Sequence, residues 1–560
     1  YGPGYVRLGG YTANGGIHIT SDIDGLARML ERAPKVVGHN ILGFDLIALA
    51  RYHGVDIHEL VGRGAVFDTL LAARYIDPPM ARDKGVDAKR KYDLDTLGEK
   101  FGLGPKSDAL KKLAKEFGGY DRIPLDDERY REYLRRDVFL SAGIYARLAS
   151  DHPYLAREHR VAALAAQVSL NGFRIDLDLL AERLAEGERR RAEALTELHE
   201  RYGIPLADDK GKPYRSPLAT NPGKEALAEA FRRLGADRLP TTEKTGQLMT
   251  SGDAMAVVKY LYAGNPDVVR LADLVAIITG ERTIYQTIEA NRVGDRVHPT
   301  VSMEQATGRW SITNPGLTVL GKRGGRHRER EVFLPEPGHV IISVDFSQID
   351  ARAIAGLSGD KAYAQLFAPG VDAHAEVARR IWGDPGRRDD AKAIGHGWNY
   401  GMGLRKLSET AGVPYEVAEQ FDAAMRVQFP QLVEWREEIR RKAASGQLLD
   451  NGFGRLMRPD PERAHTQGPA LMGQGAARDI AMEGLLRLPR EVYPYLRAFI
   501  HDEVVLSVPA DDADEVERVV LEALTFEWRG VPILAETQTR KVDGRKVPAR
   551  GRNWGEVYAK

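Results

Sequence analysis

The sequence predicts a multi-domain α/β protein. Three observations carry that expectation. Residues 1–150 alternate short apolar runs with helical periods. Residues 151 to about 290 are helical in pattern almost throughout. Strands return after 291 with helices between them. At about 150 residues per domain, a chain of 560 residues allows three or four domains. The changes of pattern place boundaries near 150 and 290.

Taken in order, VVGH at 36–39 reads as a buried strand, and FDLIALARYHG at 44–54 as a helix stopped by Gly54. AVFDTLLAARYI at 65–76 reads as a strand end entering a helix. EHRVAALAAQVSL at 158–170 opens the helical block. At 177–202, Glu and Arg recur at three- and four-residue spacing, which predicts a solvated helix. ADDKGKPYRSPLATNPGK at 207–224 is polar and rich in Pro and Gly, which predicts a loop. Residues 225–290 are helical again. Further on, VIISV at 340–344 reads as a strand, and AFI and VVLSV flank His501 as the arms of a hairpin.

Lys plus Arg and Asp plus Glu each number 80, so the formal net charge is zero. That excludes a uniformly basic coat protein but not a basic cleft. Hydrophobic residues at 43% and charged residues at 29% describe a globular chain. Cysteine is absent, which excludes disulfides, iron–sulfur clusters and thiolate-held zinc, and fits a reducing cytosol. No apolar run reaches the ~18 residues of a membrane span. The N-terminus lacks the basic-then-apolar order of a signal peptide. There is no internal repeat and no low-complexity tract.

Two acidic strand ends lie far apart in sequence. VIISVDFSQIDAR places Asp345 at the polar end of an apolar strand, and AFIHDEVVLSVP places Asp502 at a hairpin tip. A carboxylate there is held rigidly and still reaches water. Two such groups on neighbouring strands can hold a pair of Mg²⁺ ions, which prefer oxygen ligands. Ions about 3.5–4 Å apart would stabilise the attacking and leaving oxygens of an in-line displacement. The bland alternative is that each Asp merely ends a strand or caps a turn.

RRDDAKAIGHGWNYGMG adds Arg388, Lys392, His396 and Tyr400 at four-residue spacing. They drift slowly around one helix face over ~18 Å. Two cations at one end can grip a triphosphate, Arg as a fork and Lys as a point charge. Two rings further along can stack on a sugar and a base. Gly395, Gly397 and Gly401 weaken the helix, each by up to about 1 kcal/mol relative to Ala. The alternative is an ordinary charged helix face.

These residues, in this order, resemble the family A DNA polymerases, typified by bacterial DNA polymerase I. TGRWS at 307–311 is similar to the family's primer-duplex motif and DFSQIDAR at 345–352 to motif A. DAH at 372–374 resembles the Asp-x-His before the fingers, and Arg388 to Gly401 motif B. QGAARD at 474–479 is similar to the palm-helix motif and HDE at 501–503 to motif C. VPILAET and NWGEVY resemble the final strands, so a complete C-terminus is expected.

The resemblance implies a right-hand polymerase behind an RNase H-like DEDD exonuclease domain. The implied divisions are 1–150 for the exonuclease-like domain and 151–290 for connecting helices and thumb. The palm takes 291–357 and 446–560, with its antiparallel sheet, and the helical fingers take 358–445. Asp345 and Asp502, with the carbonyl of Phe346, would bind two Mg²⁺ ions, for which Mn²⁺ can substitute. His374, Arg388 and Lys392 would contact the triphosphate of a dNTP. Gln348, Asp350, His396 and Tyr400 would line its sugar and base. Thr307, Arg309, Gln474 and His501 would touch the primer–template, and Glu503 would be an auxiliary carboxylate. In the basic loop KRGGRHRERE at 322–331, Arg330 best matches a DNA-contacting arginine; the alternative is a solvated charge run.

The sequence departs from the family in places. Asp350 stands where motif A usually has Glu, one methylene longer, so the gate against the ribose 2′-OH is looser or rebuilt. His396 replaces an aromatic ring, and a neutral His both stacks and hydrogen-bonds. Ala470 and Thr466 replace the palm helix's usual Asn and Arg.

In the N-terminal third, Asn40 and Asp45 in GHNILGFDL, and Tyr133 and Asp137 in YLRRD, resemble the second and third DEDD exonuclease motifs. Asp45 and Asp137 would hold metal and Tyr133 would orient water. The family's opening Asp-x-Glu is not found; Asp22 and Asp24 do not fit it. The first strand is therefore expected to be missing, and proofreading weak or inactive. Lys244-Thr245-Gly246 resembles the thumb loop, or is a generic polar turn. No 5′-nuclease region is recognised. With the Arg- and Ala-rich usage, this suggests a monomeric bacteriophage replicase working in the host cytoplasm. The rivals are a single-subunit RNA polymerase, which TGR, QG-x3-D and the exonuclease motifs disfavour, and a non-catalytic DNA-binding scaffold.

Overall fold

In the computed structural model, which describes residues 5–80, 91–242, 246–280, 284–321 and 326–558, the N-terminal third is built on two small sheets. Strand β1 (Gly9–Ala13) pairs antiparallel with β2 (Gly16–Thr20), and β3 (Val36–Gly38) runs parallel to β4 (Val66–Asp68). Helix α1 (Asp45–His53) follows β3. Gly54 ends it at φ 72°, a left-handed conformation that costs glycine little. The 21-residue helix α2 (Glu128–Leu148) packs against both sheets.

Helix α3 (Pro153–Asn171) explains why AALAA is apolar all round. Ala162, Ala163 and Ala166 pack into the N-terminal core with Leu46 and Val66. Val161, Leu164, Ala165 and Val168 pack into a second core with Ile342 and Val504. A helix buried on every side carries no polar face. Helix α4 (Leu177–Tyr202) is largely solvated, as its charge spacing predicts. Its C-terminal Ala194, Leu198 and Tyr202 are buried against the helices Asn221–Arg233, Gly252–Leu261 and Pro266–Gly280. The loop expected through 224 is shorter than predicted. The helix Asn221–Arg233 begins inside it, where the Thr220 hydroxyl accepts the Gly223 N–H at 3.1 Å. Pro222 lies in the first turn, where its missing N–H costs no hydrogen bond.

The second half holds a four-stranded antiparallel sheet in the order β6 (Leu496–Ile500), β7 (Glu503–Pro509), β5 (His339–Phe346), β8 (Ala535–Thr537). Alternate residues enter opposite cores. Ile342, Val344, Val504 and Leu506 face one, while Ile341, Val505, Ala498 and Ile500 face the other with Phe173 and Trp554. Burial on both faces is why VIISV reads as a continuous apolar run. Helix α5 (Ile349–Ser358) leaves the end of β5. Helix α6 (Arg388–Asn399) belongs to an all-helical unit whose core holds Trp398, Phe421 and Phe429. Helix α7 (Ala464–Leu486) lies across the sheet, its Ile480, Met482 and Leu485 in the same core as Ile342. Among the described residues, no helix is long and apolar enough to cross a membrane.

Candidate active site

The sheet register brings the two acidic strand ends together. Asp345 lies opposite Glu503, and the Phe346 N–H donates to the Asp502 carbonyl at 3.0 Å. His501 turns the β6–β7 hairpin at φ 57°, and Gln348 starts α5 at φ 52°. Left-handed backbone costs a non-glycine residue about 1–2 kcal/mol. Here it flanks both carboxylates, as strained backbone does at functional sites. The oxygens on offer are two carboxylates and a main-chain carbonyl, a hard donor set that fits Mg²⁺. Among the described residues, no three His, Asp or Glu side chains are gathered as a metal-holding group.

Glu503 is fully buried behind this pair, and the Ser343 hydroxyl donates to its carboxylate. Its other oxygen lies 3.6 Å from Arg330. Arg330 corrects a sequence expectation. It is 0% exposed, so it does not reach a DNA backbone. Its guanidinium stacks on Trp554 at 4.2 Å and on Tyr558 at 4.8 Å, and it donates to the Leu320 carbonyl at 2.7 Å. It is a buried counter-charge for Glu503. Of its loop, residues 322–325 lie outside the described residues, as do Lys244 and Thr245.

Arg309, expected to touch primer, binds Asp350 at 2.8 Å. Tyr400 completes the group. Burial, then the Asp350 charge, holds its hydroxyl well above the usual phenol range, and Arg309 and Asp502 lie within electrostatic reach. Four segments thus share one site: TGR, both acidic strand ends and the end of α6 meet here. Thr307 is buried beside Gly308, whose φ is 72°. A Cβ on Gly308 would collide with Arg455, so glycine is required there.

Helix α6 ends at Asn399, one residue before Tyr400. Arg388 sits at its N-terminus, held by Asp372 at 2.6 Å, and Lys392 is exposed one turn on. Asp372 also accepts the N–H groups of His374 and Ala375, capping the helix Ala373–Trp382. Burial, then the Arg388 charge, lowers the pKa of His374, so its ring is neutral at pH 7. The opposite face of α6 is anchored: Trp398 donates to Asp422 at 2.7 Å and carries Arg436 at 4.0 Å on its ring. His396 meets Tyr400 edge-on, their rings 5.0 Å apart.

Sequence reading missed a buried charge cluster under the site. On α7, beyond the half-buried Gln474, Arg478 binds Glu158 of α3 at 3.0 Å and Asp479 at 2.5 Å. Asp479 also takes Arg157 at 2.9 Å and Asn451 at 2.6 Å. Arg478 donates to the Gly308 carbonyl at 3.0 Å, tying the cluster to the turn that carries Arg309. The QG-x3-D pattern marked Asp479, but its partners are spread over some 300 residues and leave no local signal.

With this geometry in hand, the chain was compared with known proteins. A family model described as DNA polymerase family A matches residues 229–544, more than half of the chain. The chain belongs to DNA polymerase family A. The DNA polymerase of Mycobacterium phage D29 is 28% identical over 553 residues, 94% of this chain and 84% of that protein. The thermostable DNA polymerase I of Thermus aquaticus is 27% identical over 521 residues, 86% of this chain and 59% of that one. The fold is shared with the solved POL domain of Pol1 from M. smegmatis, described as a complex with DNA primer-template and dNTP. The TM-score is 0.69 at 20% identity, covering 98% of this chain and 92% of that one. This family A polymerase carries out template-directed DNA synthesis. The RNA polymerase and scaffold readings find no support.

The polymerase's N-terminal third brings its predicted residues near one another. Asp45 is exposed at the start of α1, within electrostatic reach of Asp68 and Asp137. Asn40, at φ 57°, donates its N–H to Asp68 at 2.9 Å. Tyr133 and Asp137 project from α2 to the Lys106 ammonium, which is 2.9 Å from Asp137 and 5.1 Å from the Tyr133 ring centroid. Burial raises the pKa of Asp137, an effect Lys106 partly offsets. Lys106 was not foreseen, since nothing near it in sequence marks it.

Proposed function

We propose that Asp345, Asp502 and the Phe346 carbonyl hold the divalent ions of the polymerase site, Mg²⁺ with Mn²⁺ as a substitute. Bound there, the ions supply positive charge to the attacking and leaving oxygens of phosphoryl transfer. The chain's own residues do the rest. Arg388, Lys392 and the neutral His374 receive the triphosphate at the N-terminal end of α6, where the helix dipole adds positive charge. His396 and Tyr400 provide the ring surfaces for sugar and base, with Gln348 and Asp350 opposite. Asp350 guards the 2′ position and Arg309 holds it there. Thr307, Gln474 and His501 line the way to the primer end. The 3′-OH attacks the α-phosphate and pyrophosphate leaves, positioning and charge supplying most of the acceleration.

The carrying observation is that Asp502, Arg309, Asp350 and Tyr400 lie within electrostatic reach of one another beside the end of β5. Primer extension on a templated hairpin tests it. Incorporation of dNTPs with Mg²⁺ is expected. Binding without incorporation with either Mg²⁺ or Mn²⁺ would return the scaffold reading, and preference for NTPs the RNA polymerase reading.

The N-terminal third is read as an exonuclease-like domain over 1–150, followed by connecting helices and thumb to 290, palm at 291–357 and 446–560, and fingers at 358–445. The relation to mycobacteriophage polymerases supports a phage replicase acting on primer–template DNA in a host cytoplasm; we propose that it works as a monomer. The pairing of Lys106 with Asp137 supports weak proofreading.

A further inference from the structure

Beyond β8 the chain leaves the palm sheet as a separate ribbon. Strands β9 (Thr539–Val542) and β10 (Arg545–Pro548) pair antiparallel, with Thr539 opposite Pro548 and Val542 opposite Arg545. Asp543 and Gly544 turn it at φ 48° and 77°, the conformation two-residue hairpin loops favour. The ribbon pairs with no other described strand, and all of its strand residues except Val547 are exposed. Its root is fixed. Gln538 donates to the Ser343 carbonyl at 3.0 Å, and Gly551 and Ile341 exchange hydrogen bonds of 2.8 and 2.9 Å. Ser343 lies two residues before Asp345, about 7 Å along the strand from the reaction centre.

The ribbon is charged out of keeping with the chain. Arg540, Lys541, Arg545 and Lys546 face only Asp543, a net 4 − 1 = +3 in a protein whose net charge is zero. Among the described residues none of the four side chains makes a hydrogen bond or ion pair, although Arg540 is within electrostatic reach of Glu556. The arginines just beyond are committed: Arg550 to Glu517 and Asp514, Arg552 to Glu556. Lys541 also stands directly opposite Lys546. Like charges so placed destabilise a ribbon unless an anion lies between them.

We propose that this ribbon is a second DNA contact, gripping the phosphate backbone of the duplex. The proposal rests on the polymerase reading for the duplex itself. Two observations choose duplex over single strand. Residues 538–549 contain no aromatic side chain, whereas single-strand sites stack bases on aromatic rings. A two-stranded ribbon also matches the roughly 12 Å width of the major groove, where cations on both faces meet the flanking phosphates.

The test compares the full chain with a variant carrying Arg540→Gln, Lys541→Gln, Arg545→Gln and Lys546→Gln, and with a charge-conserving Arg540→Lys, Arg545→Lys variant. Fluorescence anisotropy follows a blunt duplex and a single-stranded oligonucleotide of equal length across a fourfold range of KCl. If two or three phosphates are gripped, the slope of log K against log salt for duplex falls by about 2–3 in the Gln variant. Across that range the wild type then loses about 10- to 40-fold more duplex affinity than the variant. The Lys variant keeps the wild-type slope. Incorporation of one nucleotide at saturating DNA stays unchanged in all three. An unchanged duplex slope, or a change confined to single strands, overturns the proposal. A wild type that incorporates nothing overturns the polymerase reading instead.

Discussion

Asp345 and Asp502 make the sharpest claim at the scale of single residues. Asn keeps the shape of each side chain and removes the charge a divalent ion needs. Asp345→Asn and Asp502→Asn are each expected to lower single-nucleotide incorporation by at least about 10²–10³-fold while duplex binding by anisotropy stays near wild type. Loss of binding in step with activity would instead make the pair structural. Asp350 carries a subtler claim. It is a methylene shorter than glutamate and is drawn to Arg309 at 2.8 Å, so the wall against a 2′-OH stands further back. Asp350→Glu is expected to raise the dNTP-over-NTP ratio of kcat/KM by about 10-fold or more, the scale of one methylene in a fitted pocket. The ratio measured by competing nucleotides on one template checks this, and no rise would show that Arg309 sets the wall instead.

Among the elements, α3 and α7 are joined by a cluster that buries three charged side chains, Glu158, Arg478 and Asp479, with Arg455 partly exposed at its edge. Burial would raise the carboxyl pKa values, but Arg478 and Arg455 outweigh it and hold both below the usual range. A carboxylate depressed in the folded state adds stability above its unfolded pKa, 4.5 for Glu and 3.8 for Asp, which is lost as pH falls through the folded value. Glu158→Gln leaves Arg478 with one carboxylate fewer in a dry site and is expected to cost about 3–5 kcal/mol by chemical denaturation at pH 7. The cost should shrink as pH falls below the unfolded Glu value of 4.5 and on through the lower folded value, where the wild type loses the charge too. A pH-independent cost would assign it to packing alone. Because Arg478 holds the Gly308 carbonyl, the same variant should also raise the KM for primer–template.

How far the sequence could be read follows from the range of the interactions. The acidic strand ends and the Arg388–Tyr400 spacing were legible because a strand period, a turn and a helix repeat are local. The Arg309–Asp350 pair, the enclosure of Arg330 and the Glu158–Arg478 bridge were not. Each joins segments whose approach is decided only when the sheet order and the path of α3 are fixed. Arg330 was misjudged for the same reason, since its burial depends on Trp554 and Tyr558, over 200 residues away.

For the whole molecule, α3 ties two regions into one body, because its alanine face lies in the N-terminal core and its Val161 and Leu164 in the core of the four-stranded sheet. The two sites differ in how they treat charge. The four-stranded sheet gathers Asp345 and Asp502 beside Arg309 and the end of α6, where we propose that cations meet incoming phosphate. The N-terminal group sets an ammonium against its own acid: Lys106 lies 2.9 Å from Asp137 and is held protonated there, since Asp137 and Tyr133 outweigh the burial that opposes its charge. A metal would have to displace or share that cation. On a mismatched primer with Mg²⁺ and no dNTPs, loss of 3′ nucleotides is therefore expected to be far slower than incorporation by the same preparation, and Asp137→Asn should leave it unchanged. Rapid Mg²⁺-dependent trimming that Asp137→Asn abolishes would show that Lys106 yields to metal and that the chain proofreads.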